Sequence, residues 1–312
     1  MISVIIPTYN RSENLERAVE SILACNGQYE IIIVDDNGIG TECQMANEKV
    51  LGRFFSLSNF SYLKHEKNMN GATARNTGLA IAKGEYVTFL DDDDEFLPQR
   101  IESIEKLINS CKPDFIFSNI VVKNNGLLEL ITDYAVTDKK ELQKELLRCE
   151  SFFGTGSNLV CKKTLVDKIN GFDTSYVRHQ DFEFMLRYLD VCEKLEFIAK
   201  PLVVKNNDDR QNNPNIEKQE IVKKKYLSDF SYIAERYSDE ERCGFKQKMY
   251  EDLLFQSVID RKDKLANKYR EQLLSIGAYS KTKMIKRVIR YRLRCMKLIM
   301  LIRNFVCESK YK

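Results

Sequence analysis

Residues 31–34 read Ile-Ile-Ile-Val, an unbroken apolar run that stops at the turn Asp35-Asp36-Asn37-Gly38. A strand with no polar face has to be covered on both sides, which an open sheet achieves with a layer of helices above and below. The surrounding pattern supplies such helices. Ser3-Val4-Ile5-Ile6 predicts a first strand, and Leu15, Ala18, Val19, Ile22 and Leu23 follow at the i, i+3, i+4, i+7, i+8 spacing of an amphipathic helix. A third strand is predicted near Tyr62-Leu63. Asn68-Met69-Asn70-Gly71 and a helix carrying Ala72, Ala74, Leu79 and Ala82 come next, with Gly84 expected as its left-handed stop. Short β-branched runs alternating with helical patterns predict an α/β fold with a largely parallel sheet.

The fourth strand carries the chemistry. Tyr86-Val87-Thr88-Phe89-Leu90 runs straight into Asp91-Asp92-Asp93-Asp94, with Glu95 next and Leu97-Pro98 closing the turn. Adjacent carboxylates repel and gain nothing from folding by themselves; their natural partner is a hard cation that takes oxygen ligands, Mg²⁺ or Mn²⁺. Ligands of open α/β sheets gather at the C-terminal ends of strands, where both this run and Asp36 fall. Arg75, on a helix between them, adds a positive charge. Acids that hold a metal, together with an arginine, suit a diphosphate. Asp36 could accept from a nucleobase N–H or a ribose hydroxyl. Neither GxGxxG nor GxxxxGK[ST] is present, and Pro7-Thr8-Tyr9-Asn10-Arg11 stands after the first strand instead. That excludes the standard nicotinamide and P-loop sites.

Past Pro98 a helix with Ile101, Ile104, Leu107 and Ile108 leads to the apolar Phe115-Ile116-Phe117. The pattern is then mixed to about residue 205, with strands near 128–131, 158–161 and 202–204 and helices near 138–148 and 181–189. Gly154-Thr155-Gly156-Ser157 reads as a flexible loop. From about residue 215 the chain turns helical and heavily charged, without proline. The formal net charge of +3 is too small to argue for nucleic acid, but the stretch 281–303 holds nine Lys/Arg and no acid. Met284, Ile285, Val288, Ile289, Leu293 and Met296 recur there near helical spacing. Such a basic amphipathic helix suits an anionic membrane surface; a packing or dimer helix is the alternative, and no recognised nucleic-acid-binding module accompanies it. Nine cysteines without a CxxC pair, and a first strand at the very N-terminus, predict reduced thiols in the cytoplasm.

Four motifs in order, Pro7-Thr8-Tyr9-Asn10-Arg11, Val34-Asp35-Asp36, Asn68 through Ala74-Arg75-Asn76-Thr77-Gly78, and Leu90-Asp91-Asp92-Asp93-Asp94, resemble the successive signatures of family-2 glycosyltransferases of GT-A fold. The resemblance covers roughly residues 1–205. It implies an inverting transferase that uses a nucleotide-diphosphate sugar, most often a UDP-sugar, with Mn²⁺ or Mg²⁺. It implies that Pro7, Thr8 and Tyr9 line the base and ribose, that Asp36 bonds uracil, and that Asn68 and Arg75 contact the nucleotide. Asp93 would hold the metal and Asp91 would face the ribose and sugar; because Asp92 is also an acid, which of the three touches the metal stays open. In Arg178-His179-Gln180-Asp181 the family usually has Glu-Asp where this chain has Gln180-Asp181, and Asp181 keeps the carboxylate of the general base. The resemblance also implies that the loop Gly154-Thr155-Gly156-Ser157 lies near the acceptor, a plain connecting turn being the alternative. The residues alone leave Asp181 open as a helix cap, and His179 as either a ligand or an ordinary structural histidine.

The reading is thus a GT-A catalytic domain over residues 1–210, Rossmann-like with flanking helices, followed by a helical extension over 211–312. The expected activity is addition of one sugar, a hexose or N-acetylhexosamine, to a glycan or lipid-linked acceptor in bacterial surface polysaccharide synthesis. The expected location is cytoplasmic, with contact to the inner membrane face through 281–303. Two other classes compete: a catalytically silent nucleotide-sugar binder or assembly subunit, and a nucleotidyltransferase, whose Gly-rich basic loop after the first strand is missing here.

Overall fold

The computed structural model describes residues 1–124, 126–131, 138–207 and 215–278, with 280, 282, 284 and 286. Seven elements alternate at the start: β1 (Ile2–Thr8), α1 (Ser12–Leu23), β2 (Tyr29–Asp35), α2 (Glu42–Leu51), β3 (Phe60–Lys64), α3 (Gly71–Ile81) and β4 (Tyr86–Phe89). β2 and β4 flank β1 in parallel, and β3 pairs in parallel with β2. Alternate residues of β1 serve two layers. Val4 and Ile6 pack with Leu15, Ala18, Val19 and Ile22 of α1, while Ile5 faces α3 so closely that a Cβ at Gly78 would stand 2.5 Å from its Cγ2. The two-sided covering expected from the apolar 31–34 run is therefore present.

Beyond β4 come β5 (Glu95–Phe96), α4 (Arg100–Cys111), β6 (Phe115–Asn124), β7 (Leu127–Ile131), α5 (Lys139–Leu147), β8 (Val160–Lys162), α6 (Lys163–Lys168), α7 (Gln180–Val191) and β9 (Leu195–Asn206). The sheet runs β3-β2-β1-β4-β8-β6-β9-β5, with β7 paired to β6. β8 is antiparallel to both β4 and β6. The parallel expectation describes the first four strands, and the sheet becomes mixed after them. The cause is local: β8 enters from the rim where β4 ends, so it must run back against β4, whereas each earlier strand is returned by a crossover helix.

Two local features differ from the sequence expectation or extend it. Ala82 ends α3 with φ −62°, not a left-handed glycine. Gly84 is required for close approach instead, because a Cβ there would meet Ser3 N at 2.6 Å and Tyr86 O at 2.7 Å. Of the two aspartates ending β2, Asp35 is fully buried. It accepts from Asn37 N (2.9 Å) and Nδ2 (2.8 Å), Asn47 Nδ2 (2.7 Å) and Tyr62 OH (2.6 Å). Asp35→Ala strands these donors, and at 1–3 kcal/mol for a buried unsatisfied group we expect about 3 kcal/mol or more of lost stability in urea unfolding. A loss below about 1 kcal/mol would show that the site relaxes around the missing acceptor.

The chain divides into two compact units, one of Met1–Leu146 with Glu150–Asn212, the other of Leu147–Cys149 with the described part of Asn213–Lys312. The second unit contains α8 (Ile216–Asp229), α9 (Ser231–Ala234), α10 (Asp239–Ile259) and α11 (Asp263–Ser275). A capping box between Ser238 and Glu241 starts α10. Its core gathers Ile216, Met249, Leu253, Leu254, Tyr269, Leu273 and Met284. Met284 was placed on the apolar face of the basic C-terminal helix, so the beginning of that stretch packs on protein. Apart from 282, 284 and 286, the stretch 281–303 lies outside the described residues. Among the described residues no helix is long and apolar enough to cross a membrane.

Candidate active site

Because β1, β2 and β4 are parallel, their C-terminal ends share one rim, with Thr8 opposite Asp35 in the register. A cleft of about 440 Å³ opens there. Pro7, Thr8, Tyr9, Asp36, Asn68, Arg75, Asp91 and Asp92 all line it, joined by Arg11, Val177 and Gln180 among others. Every residue expected around the nucleotide thus meets in one place. Asp93 and Asp181 are not among the lining residues but lie close by.

Arg75 is buried and reaches across the cleft. Its Nη2 donates to Asp91 Oδ1 at 2.6 Å and its Nη1 to Gln180 Oε1 at 3.0 Å. Burial works against this guanidinium, but Asp91 and Asp181 outweigh it and leave its pKa above the ordinary arginine value. Gln180 is fixed at its other end by Nε2 donating to Tyr176 O at 2.8 Å. Asn76, next to Arg75, clasps the backbone of Phe172, accepting from its N and donating to its O, both at 2.8 Å. Phe172 in turn stacks on Phe184 of α7, ring centres 4.2 Å apart. The helix bearing Arg75 is thereby tied to the helix bearing Asp181.

Asp181 is the second residue of α7 and does not cap it; His179, left-handed at φ 59°, holds the cap position without a side-chain cap bond. The His179 ring lies edge-on to Phe182 at 5.3 Å, an ordinary packing contact for the residue that had been open as a ligand.

The acids separate into distinct environments. Asp92 accepts from Thr8 Oγ1 (2.8 Å), Tyr9 N (3.3 Å) and Arg11 Nη1 (3.1 Å). Asp93 shares that guanidinium, Oδ2 lying 2.5 Å from Arg11 Nη1. Asp94 turns inward, taking Thr155 Oγ1 (2.7 Å) and Ser157 Oγ (2.6 Å) on Oδ2 and Asn206 N (3.1 Å) on Oδ1. Burial, reinforced by the neighbouring aspartates, lifts Asp92 and Asp94 to about 7; a cation would relieve that strain. Carboxylate oxygens of Asp91, Asp93 and Asp94 lie within 4.8 Å of one another. The donor set is all oxygen and fits a hard divalent ion. Asp94 is engaged by three neutral protein donors, Asp91 and Asp93 by the guanidiniums of Arg75 and Arg11.

Asp36 is held by His65 Nδ1 and Met69 N, both at 2.7 Å from Oδ1, and His65 Nε2 lies 2.9 Å from Thr77 Oγ1. His65 and Asn206 carry no signal in the sequence, and Arg11, Asp94, Thr155 and Ser157 stand there within motifs without a role of their own. Only the hydroxyls flanking Gly156 offered a signal there, since such a pair can serve a buried acceptor.

The profile of Glycosyl transferase family 2 matches residues 3–169, more than half the chain and all four motifs. The chain belongs to glycosyltransferase family 2. It is similar to the amylovoran biosynthesis glycosyltransferase AmsB of Erwinia amylovora, 32% identical over 207 residues, which are 64% of this chain and 67% of that protein. It is also similar to the poly(ribitol-phosphate) beta-N-acetylglucosaminyltransferase TarP of Staphylococcus aureus, 26% identical over 88% of this chain and 80% of that one. Among solved structures, S. aureus TarS 1-349 in complex with UDP-GlcNAc superposes with TM-score 0.57 at 16% identity, covering 82% of this glycosyltransferase and 72% of TarS. The mixed sheet with flanking helices is accordingly a GT-A fold with a helical C-terminal region.

Proposed function

We propose that this glycosyltransferase transfers a sugar, with inversion, from a UDP-sugar to a hydroxyl of a glycan or lipid-linked acceptor in bacterial surface polysaccharide synthesis. The observation that carries the reading is the convergence of Asp36, Arg75 and Asp91 on one cleft, with Asp181 near enough to act on the charge of Arg75. The polysaccharide setting is supported by similarity to a protein named for amylovoran biosynthesis, and a UDP-linked donor by the fold shared with TarS, solved with UDP-GlcNAc. The sugar is a hexose or N-acetylhexosamine.

In this reading Pro7, Thr8 and Tyr9 receive the base and ribose. Asp36, oriented by His65, accepts from the uracil N–H. Asn68 and Arg75 contact the nucleotide, and Asp91 faces ribose and sugar. Asp91 and Asp93 would hold Mn²⁺ or Mg²⁺, which when bound supplies Lewis-acid stabilisation of the diphosphate. Asp181 takes the acceptor hydroxyl's proton as that oxygen bonds to the anomeric carbon. The bond from that carbon to the diphosphate oxygen breaks, its electron pair leaves with UDP, and Arg75 meets the growing negative charge.

Hydrolysis of a panel of nucleotide-sugars, with and without Mn²⁺, tests the proposal; no turnover of any UDP-sugar in either condition would reject it. Asp36→Ala and Arg75→Ala are expected to weaken UDP binding at least about tenfold, as loss of a charge-assisted hydrogen bond worth 1.5–3 kcal/mol implies. Calorimetric titration with UDP checks this, and unchanged affinity in both variants would remove these residues from the nucleotide site.

A place on the inner membrane face belongs to the same proposal and rests on the charge of residues 281–303. At about 1 kcal/mol per cation near an anionic surface, replacing Arg287, Arg290, Arg292 and Arg294 by glutamine should release most of the protein from anionic vesicles. Equal sedimentation of variant and wild type would reject it.

A further inference from the structure

The segment Gly154-Thr155-Gly156-Ser157 is no flexible loop. Thr155, Gly156, Ser157 and Asn158 are buried, and Gly156–Asn158 forms a short 3-10 turn capped by the Thr155 hydroxyl, which accepts from Ser157 N. One end of the turn grips the acids: Thr155 and Ser157 both donate to Asp94 Oδ2, and the Ser157 hydroxyl oxygen also accepts from Asp91 N at 3.0 Å. The turn is held from behind by Arg100, 1% exposed, which donates to Ser157 O at 3.0 Å and to Thr88 Oγ1 at 3.1 Å. Asn158 pins it further, donating to Ser118 O (2.7 Å) and Phe153 O (3.0 Å). Between the two hydroxyl residues, Gly156 faces Asp181. A Cβ there would lie 2.9 Å from Asp181 Oδ1 and 3.0 Å from Oδ2.

One rigid turn therefore touches both sets of carboxylates, with hydroxyls on the acidic run and a bare glycine against Asp181. We propose that residues 155–157 are a positioning element that sets Asp181 relative to the cation-holding acids, Gly156 acting as the spacer. The inference rests on the reading of Asp181 as general base and of Asp91 with Asp93 as cation ligands. The chemical rationale is reach. A base must stand within hydrogen-bond distance of the proton it takes, and a misplacement of about 1 Å can cost about a hundredfold in rate. Asp181 and the acidic run sit on different elements, α7 and the end of β4, and like charge drives them apart. A neutral turn anchored to one and abutting the other fixes their separation without adding charge.

The test uses the full chain in four variants, Gly156→Ala, Thr155→Val, Thr155→Ser and Asp181→Asn. The readouts are Mn²⁺ and UDP affinity by calorimetry, and kcat and KM for hydrolysis of UDP-GlcNAc or whichever UDP-sugar the donor panel finds turned over. Gly156→Ala adds a methyl whose nearest neighbours are the carboxylate atoms of Asp181. It should lower kcat about tenfold or more while KM and both affinities stay within about twofold. Thr155→Val keeps the shape but removes both the donor to Asp94 and the acceptor of Ser157 N, and should weaken Mn²⁺ several-fold; Thr155→Ser keeps the hydroxyl and should restore it. Wild-type kcat in Gly156→Ala, or equal Mn²⁺ affinity in Thr155→Val and Thr155→Ser, overturns the proposal. The threonine pair decides it even if the alanine variant fails to fold. Asp181→Asn separates the levels: if it keeps kcat, the base assignment itself is wrong, whereas an inactive Asp181→Asn beside a fully active Gly156→Ala rejects only the spacer.

Discussion

Asp181→Asn is expected to reduce kcat by about 10²–10⁴-fold, the usual contribution of a positioned general base, with UDP affinity nearly unchanged. The substitution keeps size and hydrogen-bonding shape but cannot take up the acceptor proton. Asp181 is not among the residues lining the cleft, so the nucleotide should not register its loss directly. One indirect route exists, since Asp181 helps hold the charge on Arg75; Asp91 at 2.6 Å keeps the nearer half of that support. Single-turnover kinetics together with UDP titration separate the two quantities. If UDP affinity fell with kcat preserved, Asp181 would belong to the nucleotide site and not to the proton transfer.

Asp93→Asn is expected to abolish measurable turnover and to weaken Mn²⁺ binding strongly, and excess EDTA should silence the wild-type protein. The cause is the loss of one anionic oxygen from a cluster whose third member, Asp94, is already committed to Thr155, Ser157 and Asn206. Little remains to replace it. The fold should survive, because the Asp93 backbone oxygen still accepts from Arg17 and Asn206. Full activity in EDTA, or in Asp93→Asn, would refute a metal-dependent reaction.

Several cleft residues were legible because they sit at or just past the C-terminal end of a strand or in the first turns of the following helix, positions that an alternating pattern assigns without knowledge of long-range contacts. Asp36, Arg75 and Asp91 are of this kind. What stayed hidden depends on pairings across the sequence. Nothing near Asp94 announces that it turns away from its neighbours onto hydroxyls some sixty residues later. The 154–157 segment looked mobile because glycine usually signals conformational freedom, yet Gly156 is needed for the space beside Asp181 and Gly84 for the space beside Ser3. Glycine in a sequence does not say which of its two uses is in force. The direction of β8 was likewise invisible, since a three-residue strand carries no periodicity from which to read its orientation.

The neighbouring pair Asp35 and Asp36 has a consequence for how this family member can vary in length. Asp35 is sealed inside with its four donors, while its neighbour opens onto the cleft. Successive side chains of a strand point to opposite faces, so a one-residue shift would exchange them. A one-residue insertion or deletion between Gln28 and Asp35 would turn the Asp35 carboxylate from its donors and displace Asp36 from the cleft in the same event, damaging folding and nucleotide recognition together. Length change is tolerable only in segments that can absorb it before the next strand pairs, such as the connection from α2 to β3. A survey of natural variants, or a scan of single-residue insertions scored for both expression and UDP binding, should find residues 29–36 intolerant on both scores at once.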